Sequence, residues 1–465
     1  MRSVFSVAAG LSCLSLATAT AIIPDKIYGV NLGSWLLLES WMLPGEWLQM
    51  GGEQCNPCSS CIATEFAFAQ AYPDTVDQKF EEHWNTWFTG DDVNQLKDLG
   101  INTARIPLGY WIIEPLVDRK TEFYPRGGIH QLRRGLKQLK DAGIVAILDH
   151  HALPGVAADN QQFAGQCTNT PQFYTDYNYN RALVWAAVMT GLSHLHPDFS
   201  SVFAIEAANE PLMNATLTPG YGDYQKKFVQ TVRAMESLLG IRARTQNRRA
   251  STDSSASFNA TEIFNGVSPA NCRFTGEICK VILEALPILV DVSLEVGGFD
   301  LHSVFGLAGQ PQLMTNFMDV SWQSAGPAAN PADAAMGPQG YDNHLYYVFG
   351  GVADPNPKAY MTSICNLQRV QNAQASRNIP LWFGEWGLPT QFSATDAFLR
   401  DWADAQKLAY TKGAGWIFWN FKVEISEEAG DLAREWSYME GVKRGYLTRD
   451  PAALHNPNVC DPYIN

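Results

Sequence analysis

Short apolar runs recur along the chain, and polar or aromatic side chains gather where these runs end. Each run has the length and composition of a buried parallel strand. The predicted strands cover residues 27–32, 103–107, 144–149, 202–207, 313–322, 341–346, 381–383 and 416–419. Eight such strands suit a closed barrel, in which polar side chains at the C-terminal strand ends point into a common site.

Segments with helical spacing lie between the predicted strands. In residues 90–100, Val93, Leu96 and Leu99 fall on one face and Gly100 provides a C-terminal stop. Residues 135–143 repeat this pattern before the third strand. Alternating strands and helices predict an α/β fold, here a (β/α)8 TIM barrel. No glycine-rich phosphate turn follows the first strand, which argues against an open doubly wound sheet.

One segment is too long for a single connection between a helix and a strand. Residues 241–312 lie between the predicted fourth helix and fifth strand. The segment begins basic and serine-rich over residues 242–257, and then becomes apolar with helical spacing at Ile282, Leu286 and Leu289. We interpret it as an insertion with at least one helix. It would serve either as a surface elaboration or as a wall of a substrate cleft.

Two glutamates end predicted strands that are far apart in sequence. Glu210 follows the fourth strand and Glu385 follows the seventh. A lone glutamate is more often a solvated loop residue. Two carboxyl groups at the C-terminal ends of strands of one barrel, however, match the acid/base and nucleophile of glycoside hydrolysis.

The neighbours of these glutamates predict different roles for them. Asn209 precedes Glu210 and can hydrogen-bond a sugar 2-hydroxyl, so Glu210 is the predicted acid/base. Glu385 is the predicted nucleophile. Arg105 can hold its carboxylate ionised, and Tyr346 can donate a hydrogen bond to it.

Further residues at the strand ends are predicted to contact the sugar. His151 and His344 offer polar contacts. Trp419 offers an aromatic face on which the C–H groups of a pyranose can pack. Its neighbours Trp416 and Phe418 are expected in the core instead.

The first 21 residues have the features of a secretory signal. Arg2 supplies the positive start, an apolar stretch runs to Ala17, and small residues up to Ala21 suit cleavage. Residues 22–465 would then form one catalytic domain that is soluble and secreted, extracellular or associated with a cell wall. Glycosylation sequons begin at Asn214 and Asn259, consistent with export.

The cysteine content also suits an exported protein. Nine cysteines include Cys13 in the predicted signal, which leaves eight in the mature chain. An even number predicts disulfides, and their connectivity stays open apart from a candidate pair, Cys272 and Cys279, in the insertion. The cysteines at 55, 58 and 61 form a cluster that could be a metal site. No histidine lies beside it at zinc-ligand spacing, which favours disulfides instead.

The formal net charge of −14 argues against nucleic acid or an anionic membrane as partner. A neutral polysaccharide needs aromatic faces rather than charge, and the chain has 14 Trp, 17 Tyr and 23 Phe. His150 and His151 are adjacent and would point in opposite directions at a strand end, which argues against a shared metal ion. We expect a monomeric enzyme with a polysaccharide substrate, no cofactor and no metal.

The candidate site residues lie in motifs that resemble those of glycoside hydrolase family 5. The matching motifs are Arg-Ile-Pro at 105–107, Asp-His-His at 149–151, Asn-Glu-Pro at 209–211, His-Leu-Tyr at 344–346, Gly-Glu-Trp at 384–386 and Gly-Trp-Ile-Phe-Trp-Asn-Phe-Lys at 415–422. The resemblance covers residues 28–447 apart from the insertion. It implies a (β/α)8 barrel and retaining hydrolysis of β-glycosides, with Glu210 as acid/base and Glu385 as nucleophile.

Within this family, residues 29–41 resemble the opening of fungal exo-β-1,3-glucanases and endo-β-1,6-glucanases. Residues 123–128 and 153–166 resemble the β-1,6 branch. The sequence Asn-Gly-Phe-Asp-Asn-Ser-Gly, which the exo-β-1,3 enzymes usually carry in the second of these segments, is absent here. The resemblance therefore implies an endo-β-1,6-glucanase. One alternative is an exo-β-1,3-glucanase, in which Glu39 would help hold the non-reducing end. Another is a non-catalytic glucan-binding wall protein.

Overall fold

A computed structural model describes residues 23–241, 274–298, 310–322 and 329–464. Within these ranges eight parallel strands close into a barrel in chain order, with the first paired to the last. They are β1 (Ile27–Asn31), β2 (Thr103–Gly109), β3 (Val145–Ala152), β4 (Val202–Glu206), β5 (Met314–Met318), β6 (Gln339–His344), β7 (Leu381–Glu385) and β8 (Gly415–Phe418). The predicted (β/α)8 fold is confirmed.

Helices follow most of these strands in sequence. In the described part of the chain they are α1 (Pro44–Met50), α2 (Glu65–Ala71), α3 (Val76–Trp87), α4 (Gly90–Asp98), α5 (Ile129–Ala142), α6 (Asp176–Leu195), α7 (Tyr221–Leu238), α8 (Gly276–Glu295), α9 (Pro357–Cys365), α10 (Arg369–Ala375), α11 (Asp396–Tyr410), α12 (Ala433–Trp436) and α13 (Tyr438–Lys443). None of these helices combines the length and apolar character that crossing a bilayer requires.

The inside of the barrel is filled by apolar side chains from the inward-facing side of the strands. One buried cluster takes residues from six strands, and such residues can meet only in the barrel interior: Ile27, Ile147, Phe203, Ala204, Met314, Trp382 and Ile417. This packing makes the barrel a solid core rather than a channel. Polar chemistry is thereby confined to the C-terminal ends of the strands.

The predicted strands all occur, but their bounds differ from the predicted ones, most of all at the fifth strand. The fifth was predicted over residues 313–322, and that length is wrong because β5 ends at Met318. Residues Val320–Trp322 form a 3₁₀ turn instead. The Val320 N–H donates to the side chain of Asn378 and the Trp322 indole donates to the Pro211 carbonyl, so neither extends the sheet.

Helix ends follow the glycines that the sequence singled out. α4 ends at Asp98, and Gly100 follows it with φ +72°. α5 begins at Ile129, earlier than the predicted segment, and its C-cap Gly143 has φ +80°. Glycine adopts this left-handed conformation without the steric cost of a side chain, so it ends both helices.

The insertion lies between α7 and β5, as predicted, and contains the predicted helix, α8. Ile282, Leu286 and Leu289 are buried in α8, which packs against α6 and α7 on the outside of the barrel. This described part of the insertion is therefore a surface elaboration. Residues 242–257, Asn259 and Cys272 lie outside the described residues, as does the predicted signal at 1–21.

Three disulfides tie the described chain. Cys55 pairs with Cys61, Cys58 with Cys167, and Cys365 with Cys460. The cluster at 55, 58 and 61 is thus used in disulfides and not as a set of thiolate metal ligands. The second bond joins the segment after β1 to the loop after β3.

Candidate active site

The C-terminal ends of the strands bring the two predicted glutamates together. Glu385 is the last residue of β7, and Glu210 lies shortly after β4. The backbone of Glu210 has φ +38°, an uncommon conformation for a residue other than glycine and one that is often found at active sites. A carboxylate oxygen of Glu210 lies within 4.8 Å of one of Glu385. This close approach suits retaining hydrolysis, since inverting enzymes separate the two carboxyl groups by about 6.5–9.5 Å.

Arg105, on β2, holds the nucleophile candidate from below. Its side chain is fully buried, and Nη1 donates to Oε1 of Glu385 at 3.0 Å. Nη2 donates to Oδ1 of Asn209 at 2.7 Å, and Nε donates to Oε2 of Glu206 at 2.9 Å. Arg105 therefore orients three residues of the site without reaching the cleft itself.

Burial and charge oppose each other at Glu385. Burial raises the pKa of Glu385 to about 8, and the charge of Glu210 acts in the same direction. The charges of His344 and Arg105 lower it. Tyr346 donates its hydroxyl to Oε2 of Glu385 at 3.0 Å, as predicted, and such a hydrogen bond favours the ionised form.

His344 bridges the two glutamates. Its Nδ1 lies 2.6 Å from Oε1 of Glu210 and 3.6 Å from Oε2 of Glu385. Although burial lowers the pKa of His344, the carboxylates of Glu385 and Asp342 raise it well above its ordinary value. A protonated imidazole between the two carboxylates offsets their mutual repulsion.

His151 is fixed in one tautomer by its neighbours. Its Nδ1 lies 2.6 Å from Oδ2 of Asp149, and its Nε2 lies 3.4 Å from Nδ2 of Asn209. Burial and the nearby Arg105 charge lower the pKa of His151, so the ring is neutral. A neutral ring that donates from Nδ1 accepts at Nε2, which leaves the second N–H of the Asn209 amide for a ligand.

The adjacent His150 has a different environment. It is fully buried and stacks on Trp185, with ring centroids 4.0 Å apart. Burial lowers its pKa to about 3. The two histidines point to opposite sides of β3, as strand geometry requires, and only His151 faces the site.

A cleft of about 810 Å³ opens above these residues. All of the predicted site residues line it except Arg105, which lies beneath: Glu39, His151, Asn209, Glu210, His344, Tyr346, Glu385 and Trp419. Trp419 packs parallel to His151, with centroids 5.6 Å apart, and presents a flat apolar wall. Trp416 and Phe418 are buried in the core, as expected.

Glu39 enters the cleft from the segment after β1. Burial raises its pKa to about 8, while the indole of Trp41, which donates to Oε2 at 2.9 Å, lowers it. A third carboxyl group thus lies beside the two central glutamates. In its protonated form it can donate as well as accept hydrogen bonds.

The sequence analysis missed two groups of residues. The first lies below the cleft and holds Arg105 or His344: Asn31, Glu206 and Asp342. The second is aromatic and forms the walls of the cleft: Phe163, Trp322, Phe349 and Trp436. A signal existed for the first group, since Asn31, Glu206 and Asp342 are polar residues inside strands that are otherwise buried.

Glu210, His344 and Glu385 offer ligand atoms within 4.8 Å of one another, the spacing of a possible cation site. The donor set does not suit a metal ion, because a protonated His344 has no lone pair to give. Its Nδ1 instead hydrogen-bonds Glu210. Glu385 in turn accepts hydrogen bonds from Arg105 and Tyr346.

Comparison with known proteins agrees with this geometry. The chain is 30% identical over 447 residues to Glucan endo-1,6-beta-glucosidase B of Emericella nidulans, covering 94% of this chain and 88% of that protein. It is 25% identical over 441 residues to Probable glucan 1,3-beta-glucosidase A of Neosartorya fischeri, covering 93% and 90%. The crystal structure of rutinosidase from Aspergillus niger shares the fold, with a TM-score of 0.57 at 18% identity over 92% of this chain and 99% of that one.

Residues 70–424 match the family of cellulases, glycosyl hydrolase family 5. That match spans most of the chain and includes both glutamates, the arginine below them and the histidine between them. The chain belongs to glycosyl hydrolase family 5 and is a glycoside hydrolase.

Proposed function

We propose that this protein is a retaining endo-β-1,6-glucanase that acts on glucan of the fungal cell-wall type. The observation that carries the reaction type is the pair of carboxylates within 4.8 Å at the ends of β4 and β7. The linkage rests on the relative named Glucan endo-1,6-beta-glucosidase B, at 30% identity over nearly the whole chain. The motifs at 123–128 and 153–166 support the same linkage.

In this proposal the reaction takes place in two displacements. The Glu385 carboxylate attacks the anomeric carbon, and Glu210 gives its proton to the departing glycosidic oxygen. A covalent glycosyl ester on Glu385 forms. Glu210, now a carboxylate, takes a proton from water, which attacks the ester and releases the sugar with retained configuration.

The surrounding residues would position the reacting sugar. The free N–H of Asn209 can hydrogen-bond the 2-hydroxyl, a contact that strengthens in the transition state. Trp419 would lie under the ring and pack against its C–H groups. His344 and Tyr346 keep the two carboxylates apart and oriented.

The role of each glutamate can be tested by substitution. Glu385→Ala and Glu210→Ala should each lower kcat by roughly a thousandfold or more, because each removes a group that acts at the bond being broken. Circular dichroism and thermal unfolding would verify that the variants are folded. Near-normal activity in either folded variant would contradict the assignment.

The linkage can be tested by following products over time on linear β-1,6-glucan beside linear β-1,3-glucan. Mixed oligosaccharides released early from the β-1,6 polymer alone are expected. An exo-β-1,3-glucosidase is the second candidate, because the relative with that name matches over almost the same length and Glu39 lies beside the reacting groups. Glucose alone, from the β-1,3 polymer, would establish that candidate instead.

The same experiment bears on the remaining alternative, a glucan-binding wall protein. Binding of glucan without any new reducing ends would favour it.

We further propose that the protein is secreted as a monomer. The three disulfides fit an oxidising compartment. N-terminal sequencing of protein from the culture medium and its mass in solution would check both statements.

A further inference from the structure

A second cavity of about 290 Å³ opens beside the cleft. It lies between the segment after β1 and the loop after β3. Four residues line both spaces, so the two are continuous: Glu39, Trp41, Gln161 and Phe163. The side cavity has room for about ten water molecules, which is comparable to the non-hydrogen atoms of one glucosyl unit.

Its lining has the chemistry that binds a neutral sugar. Trp41 and Phe163 supply aromatic surface at the opening from the cleft, and amide side chains line the rest: Asn56, Asn160, Gln161 and Gln162. Asn160 donates to Asp159 and Gln162 accepts from Ser40, whereas the side-chain amides of Asn56 and Gln161 have no hydrogen bond within the described part of the chain. They are therefore available to donate to and accept from hydroxyl groups.

Disulfides hold the walls of this cavity. The Cys55–Cys61 bond closes a short loop around Asn56. The Cys58–Cys167 bond ties that loop to the segment that carries Gln161. The Cys58 sulfur also lies 3.5 Å from the Asn160 carbonyl. A cavity held in this way binds a ligand without first having to order its walls.

The side cavity opens from the part of the cleft that is lined by residues after β1 and β3, and none of the residues after β4, β5 or β6 lines it. Glu210 follows β4, and Trp322 and Phe349, from the segments after β5 and β6, line the cleft instead. The acid protonates the leaving oxygen, so the departing sugar lies near these residues. Trp419, Glu39 and Trp41 come from β8 and β1, where the chain on the retained side must continue.

We propose that this side cavity binds the glucosyl unit that precedes the reacting sugar in a β-1,6-linked chain. This proposal rests on the function proposed above. A 1,6 linkage passes through the exocyclic carbon and has one more rotatable bond than a linkage between ring carbons. The chain can therefore turn from the line of the cleft into the cavity at its side.

The test is the dependence of kcat/KM on the length of linear β-1,6-gluco-oligosaccharides. The double variant Asn56→Ala, Asn160→Ala, at two residues that line the side cavity and not the cleft, should lower kcat/KM by about tenfold for those oligosaccharides that fill the cavity. It should leave the shortest cleaved oligosaccharide unchanged. Gln70→Ala, an exposed glutamine of α2 that lines neither space, is the matched control and should change nothing.

A loss that is equal at all lengths, or no loss at any length, would overturn the proposal. Binding of the same oligosaccharides to the Glu385→Gln protein, measured by calorimetry, separates this idea from the function it rests on. Binding that increases with length and is lost in the double variant supports the cavity even if the active protein cleaves no β-1,6 bond. If the active protein cleaves β-1,6 bonds but binding does not depend on oligosaccharide length, the proposed function holds and the proposed subsite is wrong.

Discussion

At the scale of the residue, the site holds more buried carboxyl groups than buried cations. Four carboxylates surround the buried Arg105: Asp149, Glu206, Asp342 and Glu385. Burial raises the pKa of Asp149 to about 7 and that of Glu206 to about 8. Protons are therefore retained in this cluster at neutral pH, and the protonation of Glu385 depends on its few hydrogen-bond donors.

Tyr346→Phe should move the acid limb of the activity profile to higher pH. Burial already raises the pKa of Glu385 to about 8, and the Tyr346 hydroxyl favours its ionised form. Without that donor the pKa of Glu385 rises further, so its carboxyl group ionises only at higher pH. We expect kcat/KM to fall roughly 10- to 100-fold near neutral pH, measured across the range from pH 4 to 9.

The adjacent Tyr347→Phe is the matched control. Its hydroxyl contacts Ser363 and not the site, so its profile should follow that of the unmodified protein. An unshifted acid limb in Tyr346→Phe would show that another donor sets the ionisation of Glu385.

Glu65, which does not line the cleft, makes the free energy of unfolding depend on pH. It is fully buried and accepts the N–H of Leu38 at 2.7 Å, and burial raises its pKa to about 8. Its contribution to stability is complete below pH 4.5, where the unfolded chain also keeps the proton, and is lost as pH rises toward 8. Glu65→Gln should remove a pH dependence on the order of 2–4 kcal/mol in this window.

Chemical denaturation at a series of pH values measures this effect. The free energy of unfolding should fall more steeply with rising pH in the unmodified protein than in Glu65→Gln. Glu81→Gln, an exposed position on α3, should keep the original slope. Parallel curves for Glu65→Gln and the unmodified protein would assign the pH dependence to other groups.

At the scale of the element, β6 and β7 approach each other closely beneath the site. The Gly384 N–H donates to Oδ1 of Asp342 at 2.6 Å. A Cβ atom on Gly384 would lie 2.0 Å from Oδ2 of the same aspartate. Only glycine leaves room for this carboxylate, which in turn lies near Arg105 and His344.

Gly384→Ala should therefore lower both stability and activity. Displacing the buried Asp342 should cost about 1–3 kcal/mol of unfolding free energy, comparable to overpacking in a core. We expect kcat to fall as well, because Arg105 and His344 lie near Asp342 and would move with it. Gly276→Ala is the control, because a Cβ atom there meets nothing within 4 Å. A stable, active Gly384→Ala protein would show that the two strands can separate at no cost.

The existence of each strand was predictable from sequence, and its ends were less so. Apolar runs identify buried strands because parallel strands in a barrel are covered on both faces. β5 was predicted too long because Val320 and Trp322 are apolar as well. They leave the sheet to bond Asn378 and Pro211, and such partners are set by the packing of distant loops.

At the scale of the whole molecule, disulfides at separate places have separate roles. The Cys365–Cys460 bond joins α9 to the C-terminal segment and spans 95 residues. A cross-link over such a length stabilises the folded state mainly by restricting the unfolded chain. The bond lies apart from the residues that line the cleft.

The double variant Cys365→Ser, Cys460→Ser should lower the free energy of unfolding by about 2–4 kcal/mol with kcat/KM unchanged. Thermal unfolding and hydrolysis of the preferred glucan measure the two quantities. Cys58→Ser, Cys167→Ser provides the contrast, since it should also reduce kcat/KM for long oligosaccharides. Equal effects of the two pairs on activity would contradict this separation of roles.

The sequence by itself determined the barrel, the two glutamates and most of the polar residues at the strand ends. It could do so because strand period, strand length and the chemistry at strand ends are local properties of the chain. Only the tertiary structure decided which cysteines pair, that Arg105 lies beneath the cleft, and that Trp41 lines the cleft while Trp35 and Trp47 are buried in the core. These outcomes depend on which distant segments meet, and no local pattern encodes the geometry of such meetings.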